Sequence, residues 1–130
     1  MKDLRTFLEE VRQRYPEELV RIEDPVDLRF EISAVLVKLD RAHKFPIVLF
    51  NKAQNVSGKP SVFPLLSNLF ASRRLCALAL ESSVERVGLD YDLRSQNLRQ
   101  PVVVAKGDAP VKEVIRRGDE ANLFDFPVRG

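Results

Sequence analysis

Residues 47–50 read Ile-Val-Leu-Phe, four large apolar side chains in a row between Pro46 and Asn51. A half-exposed strand alternates apolar and polar residues, whereas a nearly continuous apolar run is the pattern of a buried strand. Such a strand needs covering layers, and the sequence supplies them as helices. Leu4, Phe7, Leu8 and Val11 have the i, i+3, i+4, i+7 spacing of an amphipathic helix. Asp3 is placed to accept hydrogen bonds from its first-turn amides, and Pro16 marks its stop. A second helix fits residues 30–43, with Ile32, Val35, Leu36 and Leu39 on one face. Ser72 stands as N-cap before a third helix, Arg73 to Leu80. Leu19 to Glu23, Ser61 to Leu66, Pro101 to Val104 and Val111 to Ile115 are further strand candidates, and 55–60 is a turn. Residues 84–99 read as short helical turns. The order helix, strand, helix, strand, strand, helix, strand predicts an α/β fold, a mixed β-sheet with helices packed against it.

Composition narrows the class. At 130 residues and 45% hydrophobic, the chain suits one domain with a real core. Its 21 Lys+Arg stand against 19 Asp+Glu, each half carrying one more base than acid. No basic block stands out of the kind that neutralises phosphates, so a nucleic-acid partner is not expected. No apolar run approaches the ~20 residues of a membrane-spanning helix. The start, Met1-Lys2-Asp3-Leu4-Arg5, leads into a charged amphipathic segment and does not read as a signal peptide. One cysteine, Cys76, makes no internal disulfide, which fits a reducing cytoplasm.

The inventory of reactive groups is thin. His43 is the only histidine, so imidazole clusters that hold zinc or iron are excluded. It lies near the end of the second helix, where an imidazole can meet free carbonyls, with a general-base role as the alternative. Cys76 reads as a packing group within an apolar helix, although Arg73 and Arg74 near the helix start would favour its thiolate. Those two arginines read as surface groups bridging to nearby acids; the alternative is an anion site at the helix start. Glu9-Glu10, Glu17-Glu18 and Asp119-Glu120 look like solvated pairs. The glycines, at 58, 88, 107, 118 and 130, are too far apart for a phosphate loop or a dinucleotide fingerprint.

Ordered patches of sequence go further. Asp3-Leu4-Arg5-Thr6-Phe7-Leu8, then Glu18-Leu19-Val20-Arg21-Ile22 with Pro25-Val26-Asp27, then Glu31-Ile32 resemble the start of UbiD-type decarboxylases. Pro46 to Asn51 is similar to that family's apolar strand ending near an Asn or Glu. Ser67-Asn68-Leu69-Phe70-Ala71-Ser72 and the helix to Leu80 resemble its Asn-Leu-Phe-Gly-Ser/Thr stretch and alanine-rich helix. Gly118-Asp119-Glu120-Ala121-Asn122-Leu123, running on to Pro127, is similar to its Gly-Asp-Asp-x-Asp-Leu stretch. Two positions depart from the pattern: Ala71 replaces a Gly, and Glu81 stands where a Gly commonly closes the helix. Glycine is the residue best suited to positive φ, so a different helix exit is expected at Glu81.

The resemblance implies a UbiD-like N-terminal α/β domain over residues 1–105, with 106–130 as a segment leading toward a split-barrel flavin domain. UbiD-type enzymes reversibly decarboxylate aromatic and α,β-unsaturated acids. They use prenylated FMN with manganese and potassium, and a Glu-Arg-Glu catalytic set in the central domain. No position in this sequence matches those motifs, so no catalytic, cofactor-binding or metal residue is assigned and none of these cofactors is expected to bind this chain alone. The expected role is a non-catalytic domain or subunit packing against a catalytic UbiD-like partner or a further copy of itself, with an extended end at Leu123 to Pro127 that exposes apolar side chains. The alternative is a free-standing binding or regulatory module without activity. A third class, an enzyme using Cys76 or His43, is the weakest.

Overall fold

A computed structural model describes residues 3–55 and 57–127. Helix α1 spans Leu4–Arg14 and opens on the expected cap: Asp3 Oδ1 accepts from the Thr6 amide at 2.8 Å. Thr6 Oγ1 in turn accepts from the Asp3 amide at 2.9 Å, closing a capping box. A 3-10 turn at Pro16–Glu18 leads into β1, Leu19–Ile22. Helix α2, Glu31–Arg41, crosses to β2, Ile47–Phe50. A loop leads to β3, Leu65–Ser67, then to α3, Arg73–Ala79, and α4, Val87–Ser95.

The sheet is three-stranded in the order β1-β2-β3. Strand β2 pairs parallel with β1, Leu19 opposite Ile47, and antiparallel with β3, Val48 opposite Ser67. The apolar run is therefore the central strand, and its alternating side chains divide the core in two. Val48 and Phe50 pack with Val26, Leu28 and Ile32, under the Val35, Leu36 and Leu39 face of α2. Ile47 packs on the opposite side with Phe7 and Val11 of α1 and Leu75 and Leu78 of α3. Burying each such side chain stabilises the fold by about 1.5–3 kcal/mol, which makes β2 the organising element. The α/β class, with helices against a mixed sheet, is what the pattern predicts.

Four local expectations change. The strand expected over 61–66 forms only at Leu65–Ser67, because Pro64 has no N–H for a ladder. Residues 84–99 contain one nine-residue helix, α4, in place of separate turns. Neither Pro101 to Val104 nor Val111 to Ile115 is a strand: the first has no regular structure and the second begins in a 3-10 turn, Pro110–Lys112. Among the described residues neither has a neighbouring strand to complete a ladder, and β propensity is worth little without one. The Leu123 to Pro127 end contains a 3-10 turn, Leu123–Asp125, where extended chain was expected; residues 128–130 lie outside the described residues.

The exit of α3 also differs from expectation. Glu81 adopts φ 50° without being glycine. Its amide donates to the Leu78 carbonyl at 3.2 Å, and the Ser82 amide donates to Ala77 at 2.9 Å. This is a Schellman closure with glutamate in the left-handed position, so the exit keeps the geometry that glycine favours.

Candidate functional site

His43 sits just past α2 at φ 51°, its amide donating to Asp40 at 2.8 Å while the Lys44 amide donates to Leu39 at 3.0 Å. It closes α2 by the same Schellman pattern as Glu81, through its backbone, and its side chain is exposed. The helix-end location is as expected, but the carbonyls are satisfied by amides and not by the imidazole.

Arg73 and Arg74 serve different neighbours. Arg74 donates to Glu17 at 3.0 Å, lies 3.6 Å from Glu18, and places its guanidinium 5.0 Å from the centre of the Tyr15 ring. It thus ties α3 to the turn after α1. Arg73 Nε donates to the Val84 carbonyl at 2.7 Å, fixing the loop before α4. Arg74 bridges to acids as the surface-bridging reading expects, whereas Arg73 is engaged by a backbone carbonyl instead, and α3 has only seven residues.

Cys76 lies on α3, half-buried, its thiol 3.4 Å from the Phe70 carbonyl. It does not enter the core but lines a hollow of about 620 Å³ between α3 and α4, with Phe70, Leu80, Val87, Gly88 and Tyr91. The hollow is held by polar contacts at its ends. Arg94 donates to the Leu80 carbonyl, and Ser82 Oγ donates to Asp90 at 2.5 Å. The Ser82 hydroxyl, helped by the Arg86 guanidinium, holds the Asp90 carboxyl below its usual range.

The carboxylates are largely committed to neighbours. Glu9 accepts from Arg12 Nε at 2.9 Å and from Gln13, and these hydrogen bonds lower its pKa to about 2. Glu10 pairs with Arg14 at 2.9 Å. Among the described residues no group of three or more His, Cys, Asp or Glu is placed to hold a metal ion.

The larger feature is apolar surface. Leu98, Val102 and Val103 are 84%, 87% and 94% exposed. Val104, Val111, Val114, Leu123 and Phe124 are exposed as well, as are Leu89, Tyr91 and Leu93 of α4. The stretch after α4 is anchored in part by Phe126, whose ring stacks on Phe63 at 5.4 Å between centroids and 9° between planes. This surface is the most prominent feature among the described residues.

Residues 12–90 match the family described as the 3-octaprenyl-4-hydroxybenzoate carboxy-lyase N-terminal domain, UbiD_N. The chain belongs to this family. The match runs from within α1 into α4, so it takes in the whole cluster around Val48 and Phe50 and most of the α3–α4 hollow, whereas Phe7 and Val11 of the other cluster precede it and Tyr91, Leu98 and the valines at 102–104 follow it. Relation to the UbiD decarboxylases thus rests on the folded α/β unit.

Prenylated FMN, manganese and potassium are the groups that membership brings into question. Of the groups that would meet such ligands, Glu9, Glu10, Glu17 and Glu18 are paired with arginines, and Arg73 and Arg74 are held by a carbonyl and by carboxylates. No described helix is long and apolar enough to cross a membrane.

Proposed function

We propose that this chain is the N-terminal, non-catalytic domain or subunit of a UbiD-like decarboxylase, packing against that enzyme's catalytic flavin domain. Residues 1–105 would form the folded domain, and residues 106–130 would lead toward the partner. The complete cytoplasmic enzyme would decarboxylate aromatic or α,β-unsaturated acids reversibly, with prenylated FMN, manganese and potassium held by the catalytic domain. The chain alone is inactive on this reading.

The observation that carries it is the number of exposed apolar side chains between Leu98 and Phe124, in the stretch that follows the residues matched to the family. Ordinary monomers scatter exposed apolar residues singly, whereas many within one stretch of chain support a surface that docks. Titration calorimetry with the purified catalytic flavin domain of a UbiD-type enzyme tests it. The expected result is a saturable 1:1 complex of micromolar or tighter Kd with a negative heat-capacity change, the signature of apolar burial. Absence of binding at ~100 μM would overturn it.

A further inference from the structure

We infer that the hollow between α3 and α4 is a binding site for a free anionic amphiphile, a saturated hydrocarbon chain ending in a carboxylate. This site does not depend on the docking proposed above. The hollow measures about 620 Å³, inside the ~300–1,000 Å³ range of small-ligand sites. Its lining is mostly apolar: Phe70, Ala79, Leu80, Val87 and Tyr91, together with the Cys76 thiol. Phe70 and Tyr91 stay 57% and 63% exposed, so the described residues supply no apolar filling for these walls.

Hydrogen bonds hold the space open. Arg94 donates to the Leu80 carbonyl, Ser82 Oγ to Asp90 at 2.5 Å, and Arg73 Nε to the Val84 carbonyl at 2.7 Å. These three ties fix α4 and the loop before it against α3 without side chains filling the gap between them. A pocket formed before its ligand arrives spares the complex the cost of ordering it.

One charged group borders the hollow, and it sets the polarity of the ligand. Arg73 commits Nε to Val84, and among the described residues no carboxylate forms an ion pair with its terminal nitrogens. Glu85, which feels the Arg73 charge, is held by its own backbone amide and by the Ser83 hydroxyl. The planar guanidinium fork suits a carboxylate. Arg73, Cys76 and Leu80 recur at three- and four-residue spacing, so they share one stripe of α3 and its C-cap, roughly 10 Å long at the helical rise. A hydrocarbon chain laid on that stripe with its carboxylate at Arg73 reaches Leu80.

Sodium decanoate is the probe, titrated into the full chain and followed by amide and methyl NMR shifts. The expected result is one saturable site with a Kd of roughly 0.1–1 mM, as a ligand of this size warrants, and the largest shifts at Leu80, Val87 and Gly88. Decyltrimethylammonium, the same chain with the opposite charge, should bind ~10-fold or more weakly, and R73Q should bring the two within ~3-fold of each other. Gly88 borders the hollow, and a Cβ built on it meets nothing within 4 Å, so a leucine there occupies space without displacing backbone. Leucine is also the better helix former, so G88L should raise Tm by roughly 2–6 °C while weakening decanoate ~10-fold or more. Loss of binding in G88L is then not loss of fold.

Shifts that do not saturate by ~10 mM, equal binding of the two amphiphiles, or undiminished binding to G88L would each overturn the proposal. Shifts centred on Leu98 to Phe124 would overturn it as well, marking adsorption to the exposed apolar stretch. Shifts at the hollow that grow with the concentration of the chain alone would make a second copy the occupant, against the proposal. Phosphatidylglycerol vesicles should leave the chain in the supernatant on sedimentation. Cosedimentation that R73Q abolishes would make a membrane the source of the anion and overturn a free ligand.

Discussion

His43 and Glu81 hold the same backbone position, the left-handed residue just past the end of α2 and of α3, with φ of 51° and 50°. Both accept a conformation that side chains with a Cβ disfavour by roughly 1–2 kcal/mol. Replacing His43 by Gly relieves that strain but frees the unfolded chain, which offsets part of the gain. H43G should therefore be more stable by about 0.5–1 kcal/mol, raising Tm by roughly 2–6 °C. H43A should show no such gain. A fall in Tm for H43G would mean that the imidazole itself holds the helix end.

Arg74 is the main polar tie between α3 and the turn after α1, through Glu17, Glu18 and the Tyr15 ring. Arg74 and Glu17 are solvent-exposed, and the more shielded Glu18 lies farther off at 3.6 Å, so the worth of these contacts is small. R74A should lower unfolding free energy in urea by about 0.5–1 kcal/mol, and the gap should shrink in 1 M salt. R74K should recover less than half of it, because an ammonium does not lie flat over the ring. A loss unaffected by salt would shift the weight to packing.

Phe50 is fully buried on the α2 side of β2. Truncation there opens a cavity that the sheet cannot close, so F50A should lose about 3–5 kcal/mol, enough to unfold much of a domain this small. V103A, at an exposed site of similar chemistry, should change stability by less than about 0.5 kcal/mol. Far-ultraviolet circular dichroism during urea unfolding distinguishes them. Equal losses would mean that the exposed run is packed in solution.

The core was legible because its signals are local. The unbroken Ile47 to Phe50 run, the Asp3 cap and the α2 stripe each need only a few adjacent residues to be read. The misreadings fall where a partner decides. Val102 to Val104 has strand composition, but a ladder needs a second strand, and none is described beside it. Arg74 is 57 residues from Glu17, so the pairing was foreseeable only as a type, not as an address. The α3–α4 hollow around Cys76 depends on how two helices cross, which no spacing within either helix encodes. Glu81 shows the converse: the hydrogen bonds closing α3 impose the left-handed turn even on a residue that disfavours it.

Glu9 supplies a pH test. Hydrogen bonds from Arg12 and Gln13 take its carboxyl from the ordinary 4.5 down to about 2 in the folded chain. A depressed folded value stabilises the native state above pH 4.5, and that contribution is lost as pH falls toward 2. E9Q should therefore lose stability less steeply than the parent between pH 4.5 and 2, with the two curves converging at the acid end. Parallel curves across that window, followed by thermal unfolding, would show that the Arg12 contact is not formed in solution.

Decarboxylase activity reconstituted from separate parts reaches the central claim most directly. A UbiD-type catalytic region lacking its own N-terminal domain, loaded with its cofactors, would be assayed for carbon dioxide release with increasing amounts of this chain. Activity should rise and saturate as the chain is added, while the chain alone releases none and keeps no flavin absorbance after desalting. Turnover by the chain alone, or activity indifferent to its presence, would contradict the account.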